Sequence, residues 1–273
     1  MYNPYLAHEA IIKKISQESK ASKVITLRLA LVDAEQQNSL EFEAGQFFMI
    51  GIPGIGESAI SISSSPHIRD YFELTLRAVG KVTGALGKMK AGQKVTIRGP
   101  FGRGWPKINV DDEIILIAGG IGLPSVKPIL DDYCHGYLHC KKVQLFYGTT
   151  HFEKLVCLRY YALWEKEAQL FLNLDNQDKR WKHHVGKLTE MIHEAQIPKN
   201  AKAFIVGPPL MYKSILEELA KKGLPDRQIF ISLERRMYCG IGVCQHCACG
   251  HLYACKHGPV FRYDKVKDIP DII

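Results

Sequence analysis

Five of the eight cysteines crowd into the stretch from position 239 to position 255, in the pattern Cys239-x4-Cys244-x2-Cys247, then seven residues, then Cys255, with Cys249 between. Thiols at this density in one chain point to metal before disulfides. A 2Fe-2S cluster needs four thiolates, two for each iron. The plant-type arrangement takes three of them from one tight loop at x4 and x2 spacing and the fourth from farther along. Gly240-Ile241-Gly242 inside the x4 gap lets the backbone curl around such a cluster and aim amide N–H groups at its sulfurs. The competing chemistry is a four-cysteine zinc site. Zinc ribbons normally bring two x2 pairs, whereas here the late ligand stands alone, and His246 and His251 are further ligands only on that reading. Of the two later cysteines, Cys255 is the expected fourth ligand. Gly250-His251 reads as a turn into an extended Leu252-Tyr253-Ala254 that carries Cys255 back, and Cys249 is left as a spare thiol.

Two further groupings suit phosphate. Ile117-Ala118-Gly119-Gly120-Ile121-Gly122-Leu123-Pro124 reads as a strand, a Gly-rich turn and a helix start, where backbone can approach a pyrophosphate and the helix N-terminus meets its charge. Val206-Gly207-Pro208-Pro209-Leu210-Met211 ends a later parallel strand on the same carboxyl edge. Near the front of the chain, Ser58-Ala59-Ile60-Ser61-Ile62-Ser63 and Leu76-Arg77-Ala78-Val79-Gly80-Lys81-Val82-Thr83 offer hydroxyls and a guanidinium. Gly80-x-x-Thr83 there reads as the entry to a short helix from Thr83 to Met89. Each has a plainer reading as well: glycines that only turn a sheet edge, and serines on a solvated strand face.

These residues need elements to position them. Up to about Pro106 the chain reads as six short strands, Ala7 to Ile15, Lys23 to Leu31, Gln46 to Ile52, Ser58 to Ser63, Tyr71 to Val79 and Lys94 to Arg98. Gly and Pro punctuate them, and the expected fold is a small antiparallel β-barrel. After Asp111 the rhythm becomes strand, helix, strand, with apolar runs at Ile114 to Ala118, Val143 to Tyr147, Gln169 to Leu174, Ala203 to Val206 and Gln228 to Ser232. Helix-length segments lie around Ser125 to Tyr133, Phe152 to Lys166, Lys187 to Ala195 and Pro209 to Lys222, which implies an α/β parallel sheet covered on both faces. From Glu234 onward the chain is too short and too rich in Cys and Gly to make a core, so it is expected to be organised by what it binds. The expected domains are residues 1–108, 109–233 and 234–273.

With 273 residues and 46% hydrophobic content, the chain has enough apolar surface to fold as about two globular domains. Its net charge of +8 comes from basic residues scattered from Lys13 to Lys267, which suits a basic docking face or an anionic cofactor and gives no footprint for nucleic acid. No apolar run approaches a membrane span, the longest being Ile114 to Ala118, and Met1-Tyr2-Asn3-Pro4 lacks the features of a signal peptide. A cytoplasmic location is expected.

Taken together, the barrel with its x-x-x-Ser strand and Gly-x-x-Thr, the sheet with Gly-Gly-x-Gly-x-x-Pro and Gly-Pro-Pro-x-Met, and the cysteine tail resemble the ferredoxin-NADP reductase superfamily. The tail from Glu234 through Cys247, and then Cys255-Lys256-His257-Gly258-Pro259-Val260-Phe261, is similar to electron-transfer subunits carrying flavin and a 2Fe-2S cluster. These include the electron-transfer subunit of anaerobic sulfite reductase, the gamma subunit of cytosolic NiFe hydrogenases (sulfhydrogenases), and the electron-transfer subunit of dihydroorotate dehydrogenase. Gly56-Glu57-Ser58-Ala59-Ile60-Ser61 and the seven-residue gap look closest to the first two. The resemblance implies FAD on Ser58, Ile60, Ser61, Arg77, Val79, Val82 and Thr83, and NAD(P)H on Gly119, Gly120, Gly122, Gly207, Pro208 and Met211. The metal ligands are Cys239, Cys244, Cys247 and Cys255. Two departures stand out. Ser58 occupies a position that is often Arg, so a phosphate contact is lost or must come from elsewhere, such as Arg77, and Val206 stands where a Cys commonly precedes Gly-Pro.

NAD(P)H gives two electrons as hydride and a 2Fe-2S cluster takes one, so a flavin is needed between them. The cofactors carry the chemistry, and no side chain is expected to act as acid or base. The implied role is a diaphorase subunit passing electrons between NAD(P)H and partner redox subunits of a hetero-oligomer, with a dihydroorotate dehydrogenase subunit or a zinc-organised interaction subunit as alternatives. The strand end Tyr147-Gly148-Thr149-Thr150 has no Arg to grip a 2'-phosphate, a role left to Lys154.

Overall fold

Alternating apolar and polar residues in the first hundred positions build six antiparallel strands: β1 (His8–Ser19), β2 (Val24–Leu31), β3 (Phe47–Ile52), β4 (Gly56–Ser61), β5 (Phe72–Arg77) and β6 (Lys94–Phe101). The structure, a computed structural model, describes residues 3–273. The strand order is β4-β3-β6-β1-β2-β5, and the isolated bridge between Ile62 and Leu74 joins the two edges into a barrel. Inward-facing Ala10, Ile12, Leu27, Leu29, Phe48, Ile50, Phe72, Leu74, Val95 and Ile97 fill it. Two short helices decorate the barrel. α1 (Ala34–Asn38) is capped by Asp33, which accepts from the N–H groups of Glu35 and Gln36. α2 (Lys81–Leu86) starts two residues before the expected Thr83 and ends before Met89. Thr83 instead is the third residue of the first turn, where its Oγ1 accepts the N–H of Gly80 at 2.9 Å.

The second half alternates as its sequence rhythm requires. In chain order come β7 (Glu113–Gly119), α3 (Leu123–Cys134), β8 (Lys142–Thr149), α4 (Tyr161–Glu167), β9 (Gln169–Leu174), β10 (His184–Val185), α5 (Leu188–Glu194), β11 (Lys202–Val206), α6 (Pro209–Lys221) and β12 (Ile229–Ser232). The sheet order is β10-β9-β8-β7-β11-β12, every pair parallel. β7 lies at its centre and is buried along its whole length. Strand order reverses between β7 and β11, so right-handed crossovers place the α3–α4 pair on one face and the α5–α6 pair on the other.

The helix expected over Phe152 to Lys166 is broken. Phe152–Lys154 and Leu158–Tyr160 are single 3-10 turns, and only Tyr161–Glu167 is α-helical. Leu155, Val156 and Cys157 are buried in succession, which one helical face cannot do, and Cys157 turns the chain at φ +61°.

The tail carries a small hairpin, β13 (Ala248–Cys249) and β14 (Leu252–Tyr253), a single helical turn α7 (Ala254–His257), and β15 (Val260–Arg262), which extends the parallel domain's sheet beyond β12. By compactness the chain divides into one unit of residues 1–105 with 233–260, and a second of residues 106–232 with 261–273. The cysteine section thus belongs to the barrel's unit. Contrary to expectation, it is organised by protein contacts as well as by anything it binds.

Candidate functional site

At the carboxyl ends of β7 and β11 the two Gly-rich segments press against each other, backbone to backbone. A Cβ on Gly122 would stand 2.6 Å from the carbonyl oxygen of Val206, and one on Gly119 would meet Met211 Sδ at 2.7 Å and Pro208 Cδ at 2.8 Å. A Cβ on Gly207 would reach Met211 Cε at 2.5 Å. Gly120 serves the turn differently: nothing lies near it, but its φ is +53°. Glycine is therefore required here for approach as well as for turning, and the crevice sits where strand order reverses, the position at which open parallel sheets take nucleotides. The structure brings Gly119, Gly120, Gly122, Gly207, Pro208 and Met211 to this one edge.

In the barrel, β4, α2 and the end of β5 contact one another, so Ser58, Ile60, Ser61, Arg77, Val79, Val82 and Thr83 gather at one end. β4 differs from the other barrel strands in having no fully buried residue. Ile60 and Val82 are partly buried against the core, while Arg77 is exposed and Val79 is 67% exposed. An open, half-apolar strand beside a guanidinium fits a flavin with its phosphates. The next serines do structural work instead. Ser63 Oγ pairs with Thr75 Oγ1 at 2.9 Å and Ser64 Oγ accepts the N–H of Glu73 at 2.9 Å, both buried.

The cysteine section folds back on itself as the Gly250 turn demands, with Ala248 opposite Tyr253 and Cys249 opposite Leu252. This return places the Sγ of Cys255 3.2 Å from that of Cys247, two free thiols well beyond disulfide length. The Cys244 N–H points at Cys239 Sγ at 3.4 Å, and the Cys255 N–H at Cys247 Sγ at 3.5 Å. Cys247 and Cys255 thus meet sulfur to sulfur, and Cys239 and Cys244 are joined through a backbone N–H. Gly240 and Gly242, at φ +79° and +82°, curl the loop so that the N–H of Ile241 points at Cys239 Sγ (3.5 Å) and that of Gly242 at Cys255 Sγ (3.1 Å). The N–H of His246 holds the Cys244 thiol below its ordinary range, whereas burial, then the neighbouring Cys247 thiol, push Cys255 up. Metal binding to this set would release protons from the thiols. Paired sulfurs ringed by backbone donors suit two irons with two thiolates each. Cys249 points elsewhere: its Sγ donates to the Cys247 carbonyl at 3.7 Å, and burial raises its pKa.

Sequence reasoning missed the dock that holds this section, the strand end and turn from Arg98 to Gly104. The Arg98 guanidinium donates to the Cys239 carbonyl from Nη1 and Nη2, both at 3.2 Å. Gly240 is packed against the Phe101 ring, where a Cβ would stand only 2.7 Å from Phe101 Cδ2, and Gly102 is packed as closely on Pro259. The N–H of Arg103 donates to the Gly258 carbonyl at 2.5 Å. In the sequence Gly99-Pro100 reads as a strand stop alone; the arginine just before it, at a strand position, is the available signal.

Three family matches cover the chain in order: an oxidoreductase FAD-binding domain over residues 10–105, an oxidoreductase NAD-binding domain over 116–217, and the iron-sulfur cluster binding domain of dihydroorotate dehydrogenase B over 234–267. The sulfhydrogenase 1 subunit gamma of Pyrococcus furiosus is 34% identical, with 99% of this chain and 96% of the relative aligned. The chain belongs to this family of electron-transfer subunits. A probable dihydroorotate dehydrogenase B electron transfer subunit of Thermoplasma acidophilum is 30% identical over 85% of this subunit and 83% of its own length. Among solved structures, a chain of NADH-dependent reduced ferredoxin-NADP oxidoreductase superposes with a TM-score of 0.75 at 21% identity, covering 98% of this subunit and 94% of its own chain. The cytochrome b5 reductase domain of Ulva prolifera nitrate reductase gives 0.68 at 19% identity over 82% and 95%. These share the fold: an antiparallel FAD domain, a parallel NAD-binding domain and, in this electron-transfer subunit, an iron-sulfur segment near the C-terminus. It is an NAD(P)H-dependent flavin oxidoreductase subunit. Among the described residues no helix is long and apolar enough to cross a membrane.

Proposed function

We propose that the chain is the diaphorase subunit of a cytoplasmic hydrogenase-type complex, moving electrons between NAD(P)H and iron-sulfur and catalytic partner subunits. The observation that carries this reading is the Cys247–Cys255 thiol pair, with Cys239 and Cys244 joined beside it, held on the same compact unit as the flavin barrel. Cys239 and Cys244 would hold one iron, and Cys247 and Cys255 the other. Ser58, Ile60, Ser61, Arg77, Val79, Val82 and Thr83 would hold FAD, with Arg77 replacing the phosphate contact that Ser58 cannot make. Gly119, Gly120, Gly122, Gly207, Pro208 and Met211 would seat the nucleotide. FAD, when bound, supplies the exchange between hydride and single electrons. The chain's own residues orient the donors, keep the sulfurs in backbone hydrogen bonds and leave the proton chemistry to the cofactors. The preference for the hydrogenase branch rests on likeness to sulfhydrogenase gamma subunits along nearly the whole length of both chains. Eight free cysteines suit a reducing compartment.

The isolated chain, made anaerobically, is expected to hold one FAD and one 2Fe-2S cluster and to reduce an artificial dye with NADH or NADPH. Absence of flavin after gentle purification and FAD reconstitution refutes it. A colourless protein with stoichiometric zinc would favour the zinc-organised alternative.

A further inference from the structure

One buried cation touches both the strand proposed for flavin and the loop proposed for the cluster. Arg98, on β6, has a side chain only 9% exposed, and all its donors are directed. Nε donates to Glu57 Oε1 at 3.0 Å and Oε2 at 3.1 Å, and Nη2 to Glu57 Oε2 at 2.7 Å. Nη1 reaches the Pro4 carbonyl at 2.9 Å, both terminal nitrogens reach the Cys239 carbonyl at 3.2 Å, and the guanidinium lies over the Phe101 ring at 5.5 Å. Glu57 is on β4, directly before Ser58, and β3 runs between β4 and β6. The carboxylate reaches across because β3 has Gly51 at the crossing point. A Cβ there would stand 2.8 Å from Glu57 Cγ and 2.6 Å from Thr96 Oγ1. Two adjacent strand registers, Gly51 opposite Glu57 and Gly51 opposite Thr96, fix this crossing.

We infer that Arg98 is a positioning residue that ties the flavin strand to the cluster loop and sets the cluster's reduction potential, with Glu57 as its counterweight. The inference rests on Cys239 being an iron ligand, as proposed above. A reduced cluster carries one more negative charge than an oxidised one, and net charge nearby is among the main determinants of its potential. A guanidinium at the carbonyl of a ligand residue favours the reduced form. A carboxylate on the same guanidinium offsets part of that field, and the burial of Arg98 limits the screening of its charge by water, more so than for Glu57, whose side chain is 27% exposed. The two residues therefore act on the potential with opposite signs, which a purely structural clamp would not do. Glu57→Gln keeps an acceptor for Arg98 and removes only the charge.

The test is an EPR-monitored redox titration of the cluster in the anaerobic, FAD-loaded full chain, for wild type, Arg98→Met, Arg98→Lys and Glu57→Gln. In Arg98→Met the reduced-to-oxidised ratio at a fixed potential is expected to fall about tenfold, which for a one-electron couple is 59 mV. Glu57→Gln should move the ratio the other way, and Arg98→Lys should restore much of the wild-type potential by keeping the charge. If Arg98→Met loses its cluster, the direction of the Glu57→Gln shift decides. Unchanged potentials in variants that retain the cluster, or shifts of the same sign in Arg98→Met and Glu57→Gln, overturn the inference. A wild-type chain with no cluster signal fails differently, by refuting the ligand assignment beneath it.

Discussion

Cys249 and Cys255 lie on opposite sides of one turn, and their sulfurs face different partners. Cys255 Sγ meets Cys247 Sγ and the Gly242 N–H, while Cys249 Sγ turns to the Cys247 carbonyl and lies beside Arg235. Changing Cys255 to Ser is therefore expected to abolish the cluster's EPR signal in the dithionite-reduced protein. Cys249→Ala should leave that signal and the flavin content close to wild type, and the reverse pattern would reassign the fourth ligand. At this scale the spacing alone pointed to Cys255, because a two-residue turn after Cys249 returns the chain. The sulfur pairing needed the folded hairpin, since seven residues of spacing are compatible with many loop shapes.

At the scale of elements, the parallel sheet's edge depends on one approach that no side chain can share. The Cβ of Gly122→Ala would collide with the Val206 carbonyl, a backbone atom fixed in the β7–β11 pairing, whereas at Gly119 the close atoms are side-chain ones, the flexible Met211 Sδ and the Pro208 ring. Gly122→Ala is expected to cost about 1–3 kcal/mol of stability and to raise the KM for NAD(P)H, with Gly119→Ala milder in both, as thermal unfolding and steady-state dye reduction would show. A second element-scale prediction concerns the α5–α6 pair, where Glu218 on α6 accepts from His193 on α5 at 2.6 Å and from Lys221 at 3.0 Å. These partners, His193 first, hold its carboxyl below the usual range. Because the folded-state pKa is depressed, the stabilisation is present above the unfolded value of about 4.3 and is lost as pH falls through the folded value. The Tm difference between wild type and Glu218→Gln should thus be visible near neutrality and close as pH drops below 4.3, about the unfolded value; a constant difference would count against it. The strands and most helices were legible because period-2 and helical patterns are local. The Phe152 to Lys166 segment was not, since its helix-like composition conceals three consecutive residues that tertiary packing buries.

For the molecule as a whole, the chain has sites for a donor, a carrier and a one-electron relay, and partner subunits are the proposed destination for the electrons. Purification from the native source should recover it with other redox subunits in a hetero-oligomer. Elution alone, with full activity on a small physiological substrate, would overturn that. The two compact units carry the nucleotide edge on one side of the division and the flavin strand with the cysteine section on the other. The chain crosses between them three times to achieve this, near positions 105, 232 and 260. A linear reading separates three consecutive blocks and has no means of seeing that the third is divided, residues 233–260 going with the first block and residues 261–273 with the second.

Residue types and spacings by themselves pointed to the chemistry: four thiols at iron-sulfur spacing, two Gly-rich turns at strand ends, and a change of rhythm from short strands to strand–helix alternation between about residues 106 and 111. These follow from short-range rules, in which periodicity, glycine freedom and ligand count are properties of neighbouring residues. Only the tertiary structure decided which thiols pair, that Gly51 opens the way for Glu57 to reach Arg98, and that Arg98 holds the Cys239 carbonyl across 141 positions of sequence. Such contacts depend on strand order and register, which bring distant residues together through the sum of many weak packing terms and leave no local pattern to read.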